Sequence, residues 1–175
     1  MSEPSALPKI RPFDGHDWFS TKTSKRNLPH WELKGSTYFI TIRVDPSAGQ
    51  PFSNPDLAEL MLKSLYLEHK KKYDLQAFVI MSDHFHLILK PFAPHTLSKI
   101  MQNLKGSTAY QINKLLKRKG KFWQTENFDH LIRDSIGLQK KWEYIKNNPV
   151  KARLVSKAED YPFSSFYVSD KTLEG

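Results

Sequence analysis

Residues 73–90 read YDLQAFVIMSDHFHLILK, two apolar runs parted only by Ser82 and Asp83. The runs Tyr73 to Met81 and His84 to Lys90 are each long enough for a strand. A two-residue connection is short enough for a hairpin, and Pro91 is expected to stop the second strand. Side chains alternate across a strand, so Phe85, Leu87 and Leu89 are expected to face a core while His84 and His86 stand side by side on the other face.

Upstream, Ser36 to Val44 (STYFITIRV) alternates in the same way, with Tyr38, Ile40, Ile42 and Val44 on one face and Phe39, Thr41 and Arg43 on the other, and ends at Asp45-Pro46. From Asn54, an N-cap with Pro55 behind it, Leu57, Leu60, Met61 and Leu65 mark one face of a helix expected to reach about Lys72. Downstream of Pro94, the apolar positions Leu97, Ile100, Met101, Leu104, Ile112, Leu115 and Leu116 predict a long helix, with a break expected at Gly106. Strand-like pieces follow at Lys121 to Gln124 and Phe128 to Arg133. A last helix is expected from Asp134-Ser135 to the residue before Pro149. The order β-α-β-β-α-(β)-α predicts an α+β fold, an antiparallel sheet with helices packed on it, related to the ferredoxin-like split arrangement.

The chain has 175 residues, 39% hydrophobic and 13% aromatic, enough for one substantial core. Residues 1–30 lack periodicity and are expected to be a partly ordered extension carrying the basic stretch TKTSKRNLPH. Residues 31–155 form the expected domain, and 156–175 a tail in which YPFSSF reads as a docked turn. Lys and Arg outnumber Asp and Glu 27 to 18, a formal charge of +9 that favours a polyanionic partner. There is no cysteine, which excludes a disulfide scaffold and thiolate zinc sites. No apolar run approaches a bilayer span, so a cytoplasmic protein without a membrane partner is expected.

Two constellations carry chemistry. The His84-Phe85-His86 triplet offers two imidazoles to one cation, although a His-x-His spacing also arises by chance. In the last helix, Leu138, Trp142 and Ile145 form the buried stripe, and Tyr144 and Asn148 lie one turn apart on its flank. That pair presents a hydroxyl beside an amide, and equally suits a half-buried aromatic followed by a helix-terminal residue. Tyr110 is the rival hydroxyl, with Lys114 rather than a ligand one turn on.

Together, MSDHFHLIL and WEYIKNNPVKARLV resemble the signature of the single-tyrosine HUH transposases, an HUH-type α/β sandwich. The run Tyr144-Ile145-Lys146-Asn147-Asn148-Pro149 is similar to the REP-associated branch, as are LPHWELKGSTYFITIRV, KFWQTENFDHLIRD and YPFSSF. The likeness covers roughly residues 25–166. It departs at Ser82, where many relatives have Pro.

The resemblance implies a DNA endonuclease and strand transferase with Tyr144 as nucleophile and His84, His86 and Asn148 as ligands to a divalent metal, Mg²⁺ or Mn²⁺. It implies a 5′-phosphotyrosine intermediate and a single-stranded DNA substrate with a REP-type hairpin, in a bacterial, nucleoid-associated setting. Arg26, Lys105, Lys114, Lys117, Arg118 and Arg133 are candidate backbone contacts. A monomer is favoured, with the exchanged-helix dimer of insertion-sequence relatives as the alternative. A catalytically silent nucleic-acid-binding regulator and an HUH replication-initiator or relaxase-like nickase remain open.

Overall fold

Alternating apolar residues build the sheet. In the computed structural model, which describes residues 35–168, β1 (Thr37–Arg43), β2 (Tyr73–Ile80), β3 (His84–Pro91) and β4 (Phe128–Ile132) lie in the order β2-β3-β1-β4, and every neighbouring pair is antiparallel. This is the ferredoxin-like order. Tyr38, Ile40 and Ile42 of β1 and Phe85, Leu87 and Leu89 of β3 face one side of the sheet. There they pack with α1 (Pro55–Leu67) and α2 (Leu97–Leu115) in the larger core. Phe39, Val79 and Ile88 face the other side, where Leu138 and Ile145 of α3 (Ser135–Lys151) complete a second, smaller core. The fold is therefore α+β with helices on both faces of an antiparallel sheet.

Each helix starts where a side-chain oxygen takes an orphan amide. Asn54 accepts from Asp56 N at 2.9 Å, Thr96 from Lys99 N at 3.3 Å and Asp134 from Gly137 N at 2.6 Å. The helix ends differ from expectation. α1 stops at Leu67 rather than near Lys72, because Lys70 takes a left-handed φ of 65° and its amide bonds Tyr73 O at 2.8 Å, turning the chain into β2. α2 runs unbroken through Gly106, which faces solvent where nothing depends on a side chain. Leu115 and Leu116 lie beyond its buried stripe and are exposed.

α3 passes Pro149 and continues to Lys151. Its real terminator is Arg153 at φ 58°, with Arg153 N bonding Val150 O at 2.9 Å and Leu154 N bonding Pro149 O at 3.0 Å. That is a Schellman closure, which supplies partners for the last carbonyls.

Lys121 to Gln124 does not form a strand. Trp123 makes one bridge to Val44, while the rings of Phe122 and Trp123 enter the larger core. β2 carries a bulge between Leu75 and Ala77, which lets Tyr73, Leu75, Phe78 and Ile80 all enter that core. The YPFSSF segment docks on the outer edge of β2: Ile80 N bonds Phe163 O at 2.9 Å, Ser165 N bonds Phe78 O at 3.0 Å, and Tyr161 Oη donates to Ile80 O at 2.8 Å.

Candidate active site

The His pair sits at the start of β3, opposite Arg43 and Thr41 of β1. Alternation places both rings on the α3 side of the sheet, their centroids 4.9 Å apart. Each imidazole is anchored through Nδ1: His84 to Asp83 Oδ1 at 2.6 Å, and His86 to Thr41 Oγ1 at 2.8 Å. The carboxylate of Asp83 accepts from Nδ1 of His84, which orients the ring and leaves Nε2 outside that bond. Nε2 of His86 is buried and has no hydrogen-bond partner.

Burial, then the charges of His84, Arg43 and Lys141, push the pKa of His86 down to about 3, so it is a neutral ring at ordinary pH. A buried, unpartnered nitrogen costs free energy unless something accepts its lone pair or takes its proton. Two anchored imidazoles with Nε2 uncommitted are the donor set that a divalent cation meets, so the residues present fit a metal.

Ile145, fully buried, and Leu138 seat α3 against the sheet and bring Tyr144 over the pair. The Tyr144 ring lies 5.1 Å from that of His86 and 5.8 Å from Phe39, edge-on to both, while Phe39 stacks on His86 at 5.5 Å. Tyr144 nevertheless stays 40% exposed, at the end of a groove. Asn148 follows one turn later on α3, half-buried and without a hydrogen-bond partner for its side chain among the described residues, while Tyr144 makes the ring contact with His86. Tyr110 projects from α2 at 69% exposure, on the opposite side of the sheet.

A groove of about 550 Å³ runs from Tyr144 along β4 and the start of α3, lined by His130, Arg133, Lys140 and Lys141 among others. A slightly larger cavity of about 620 Å³ lies between α2 and β4 and touches neither His84, His86 nor Tyr144. Chemistry rather than size singles out the first.

The candidate backbone contacts scatter. Arg133 is exposed and lines the groove. Lys114 and Lys117 are exposed at the end of α2, on the helix that covers the other face. Arg118, beside them, bonds Asn113 Oδ1, Lys121 O and Ser47 Oγ at 2.8, 3.0 and 3.2 Å. The Lys105 ammonium is engaged within the fold, donating to Gln124 O at 2.8 Å and Asn127 Oδ1 at 2.7 Å. Arg26 lies outside the described residues. Sequence reasoning passed over Arg43 and Lys141, although Arg43 shares a strand face with Thr41 and Lys141 precedes Tyr144 by three residues.

The sequence model of the IS200-like transposases matches residues 52–148, a span that holds both His residues, Tyr144 and Asn148. Among curated proteins, the chain is 29% identical over 146 residues to one assigned to the REP-associated tyrosine transposases of Haemophilus influenzae, covering 77% of this chain and 81% of that one. It is 25% identical over 136 residues to the REP-associated tyrosine transposase of Escherichia coli K12, covering 77% and 79%. Among solved structures, a REP-associated tyrosine transposase bound to a REP hairpin superposes with a TM-score of 0.64 at 23% identity, covering 81% of this chain and 83% of that one, which shows the shared fold.

Proposed function

Since the chain belongs to the IS200-like transposase family, we propose that it cuts and rejoins single-stranded DNA through a covalent link to Tyr144. The observation that supports this reading is the meeting of Tyr144 with His86, whose Nδ1 is anchored and whose buried Nε2 is unpartnered. The tyrosine oxygen attacks phosphorus, its proton leaves, the bond from phosphorus to the 3′ oxygen breaks, and that oxygen takes up a proton. A 5′-phosphotyrosine and a free 3′-hydroxyl result. The phosphodiester energy stays in the link, so a second 3′-hydroxyl can reverse the step on another strand, whereas attack by water would discard it.

A divalent ion, Mg²⁺ or Mn²⁺, held by His84, His86 and the Asn148 amide oxygen would polarise the phosphate and steady the leaving oxygen. The protein's own residues do the rest: Asp83 and Thr41 orient the rings, Phe39 packs behind them, and α3 presents the nucleophile. REP-type hairpins are the proposed substrate, on the likeness to the relatives named above. Tyr144 stands beside His86 of its own chain, which favours a monomer acting in cis.

The test uses a labelled DNA hairpin with a single-stranded flank and Mg²⁺ or Mn²⁺, resolved under denaturing conditions. The unaltered protein should give a denaturant-resistant adduct and Tyr144→Phe none. An adduct that survives Tyr144→Phe and vanishes with Tyr110→Phe would overturn the assignment. Binding without any adduct would leave a DNA-binding protein.

A further inference from the structure

We propose that Arg43 and Lys141 form a two-cation clamp on the DNA backbone, each holding one of two phosphates that flank the reacting one at Tyr144. The positions come from both layers of the site. Arg43, at the end of β1, faces His84 across the sheet. Lys141, one turn before Tyr144 on α3, holds its ammonium 4.5 Å over the Phe39 ring, and Phe39 stacks on His86. That cation–π seat fixes a flexible side chain where it also lines the groove beside Tyr144.

Phe39 and Arg43 are four residues apart on the same strand face, roughly 13 Å at the usual rise. Phe39, His86 and Arg43 therefore run in a line, with the imidazole between the two cations. Neither cation has a carboxylate within ion-pair distance among the described residues, whereas Lys146, on the same helix as Lys141, is paired with Glu159 at 2.8 Å.

Unpaired positive charges beside a site for a divalent cation repel it unless anions also enter. Asp83, next to the His pair in the chain, is already bonded to His84, and Asp134, which shares the groove with Lys141, caps α3 through Gly137 N. The arrangement is electrostatically complete only with several negative groups lying across it, and a nucleic-acid backbone supplies them at regular spacing. An ammonium seated over Phe39 and a guanidinium four strand residues along at Arg43 suit two phosphates better than one.

The clamp takes its ligand, DNA, from the strand-transfer reading, but it can be tested without chemistry. In a Tyr144→Phe background without added metal, equilibrium binding is measured to a labelled hairpin with an oligothymidine flank, carrying one uncharged methylphosphonate at successive linkages. Affinity should drop about tenfold at two linkages with one linkage between them. Adding Lys141→Gln should erase the sensitivity at one of these, and Arg43→Gln at the other. Each substitution should also lower the log–log salt slope by about 0.7.

Lys141→Arg and Arg43→Lys keep the charge and should keep the pattern, which separates loss of a contact from loss of folding. The clamp is overturned if either glutamine variant retains both sensitivities, if both erase the same one, or if the hairpin does not bind. If the pattern appears while unaltered protein with Mn²⁺ forms no adduct, the clamp stands and the covalent mechanism falls.

Discussion

Thr41 is a small residue with a large share in the site. Its hydroxyl is the partner of His86 Nδ1, and it sits on the strand that also carries Phe39 and Arg43. Thr41→Val keeps the shape and removes the anchor, so affinity for Mn²⁺, read by calorimetry, should fall by about 10- to 100-fold while the fold survives. A second buried imidazole gives a pH signature. His69 accepts the Leu75 amide on Nδ1 at 2.9 Å, and burial, then the Lys70 ammonium, hold its pKa below 6.5 against the opposing pull of Asp74. Above pH 6.5 the ring is neutral whether folded or unfolded. Below it the unfolded chain binds the proton first, so stability is lost as pH falls, and His86 adds a loss of the same sign. Denaturation midpoints measured from pH 8 to 5 should decline, and His69→Gln should flatten part of that decline. At this scale the sequence was most informative where period-2 alternation governs, as at His84, His86 and Thr41. It offered Lys105 as a backbone contact, because a charge engaged within the fold looks like any other until the loop from Gln124 to Asn127 folds over it.

Elements were legible at their starts and much less so at their ends. Asn54 and Asp134 announce their helices because capping is a local hydrogen bond between near neighbours. The ends of α2 and α3 are closed by Lys117 at φ 50° and Arg153 at φ 58°, positions where glycine is the expected signal and is absent. Pro149 gave a false stop, since the tertiary packing that buries it and Ile145 outweighs its missing amide. The bulge after Leu75 also has no local signature, because it is defined by how β2 pairs with β3. A left-handed conformation costs an ordinary residue about 1–2 kcal/mol, partly offset by the greater chain entropy glycine loses on folding. Arg153→Gly should therefore raise stability modestly, by up to about 1 kcal/mol, visible as a higher melting temperature. A neutral or lower value would show that the arginine side chain compensates for its backbone.

Across the whole molecule, the sheet divides labour. The face under α1 and α2 holds the larger core, while the candidate site shares the other face with α3, whose seat depends heavily on Ile145 and Leu138. Ile145→Ala should cost roughly 2–5 kcal/mol and, by loosening α3, reduce adduct formation in protein that is still folded. A helix pattern read one segment at a time cannot say which side of the sheet the helix will cover, so the approach of Tyr144 to His86 became visible only in three dimensions. The segment from Tyr161 to Ser165 gives a different kind of consequence. By satisfying the outer amides and carbonyls of β2 at Phe78 and Ile80, it denies that border to any other chain. Cutting the protein after Lys157 should therefore do more than lower its melting temperature. It would leave an apolar strand open to recruitment by its own copies, and light scattering should detect self-association at concentrations where the intact chain stays dispersed.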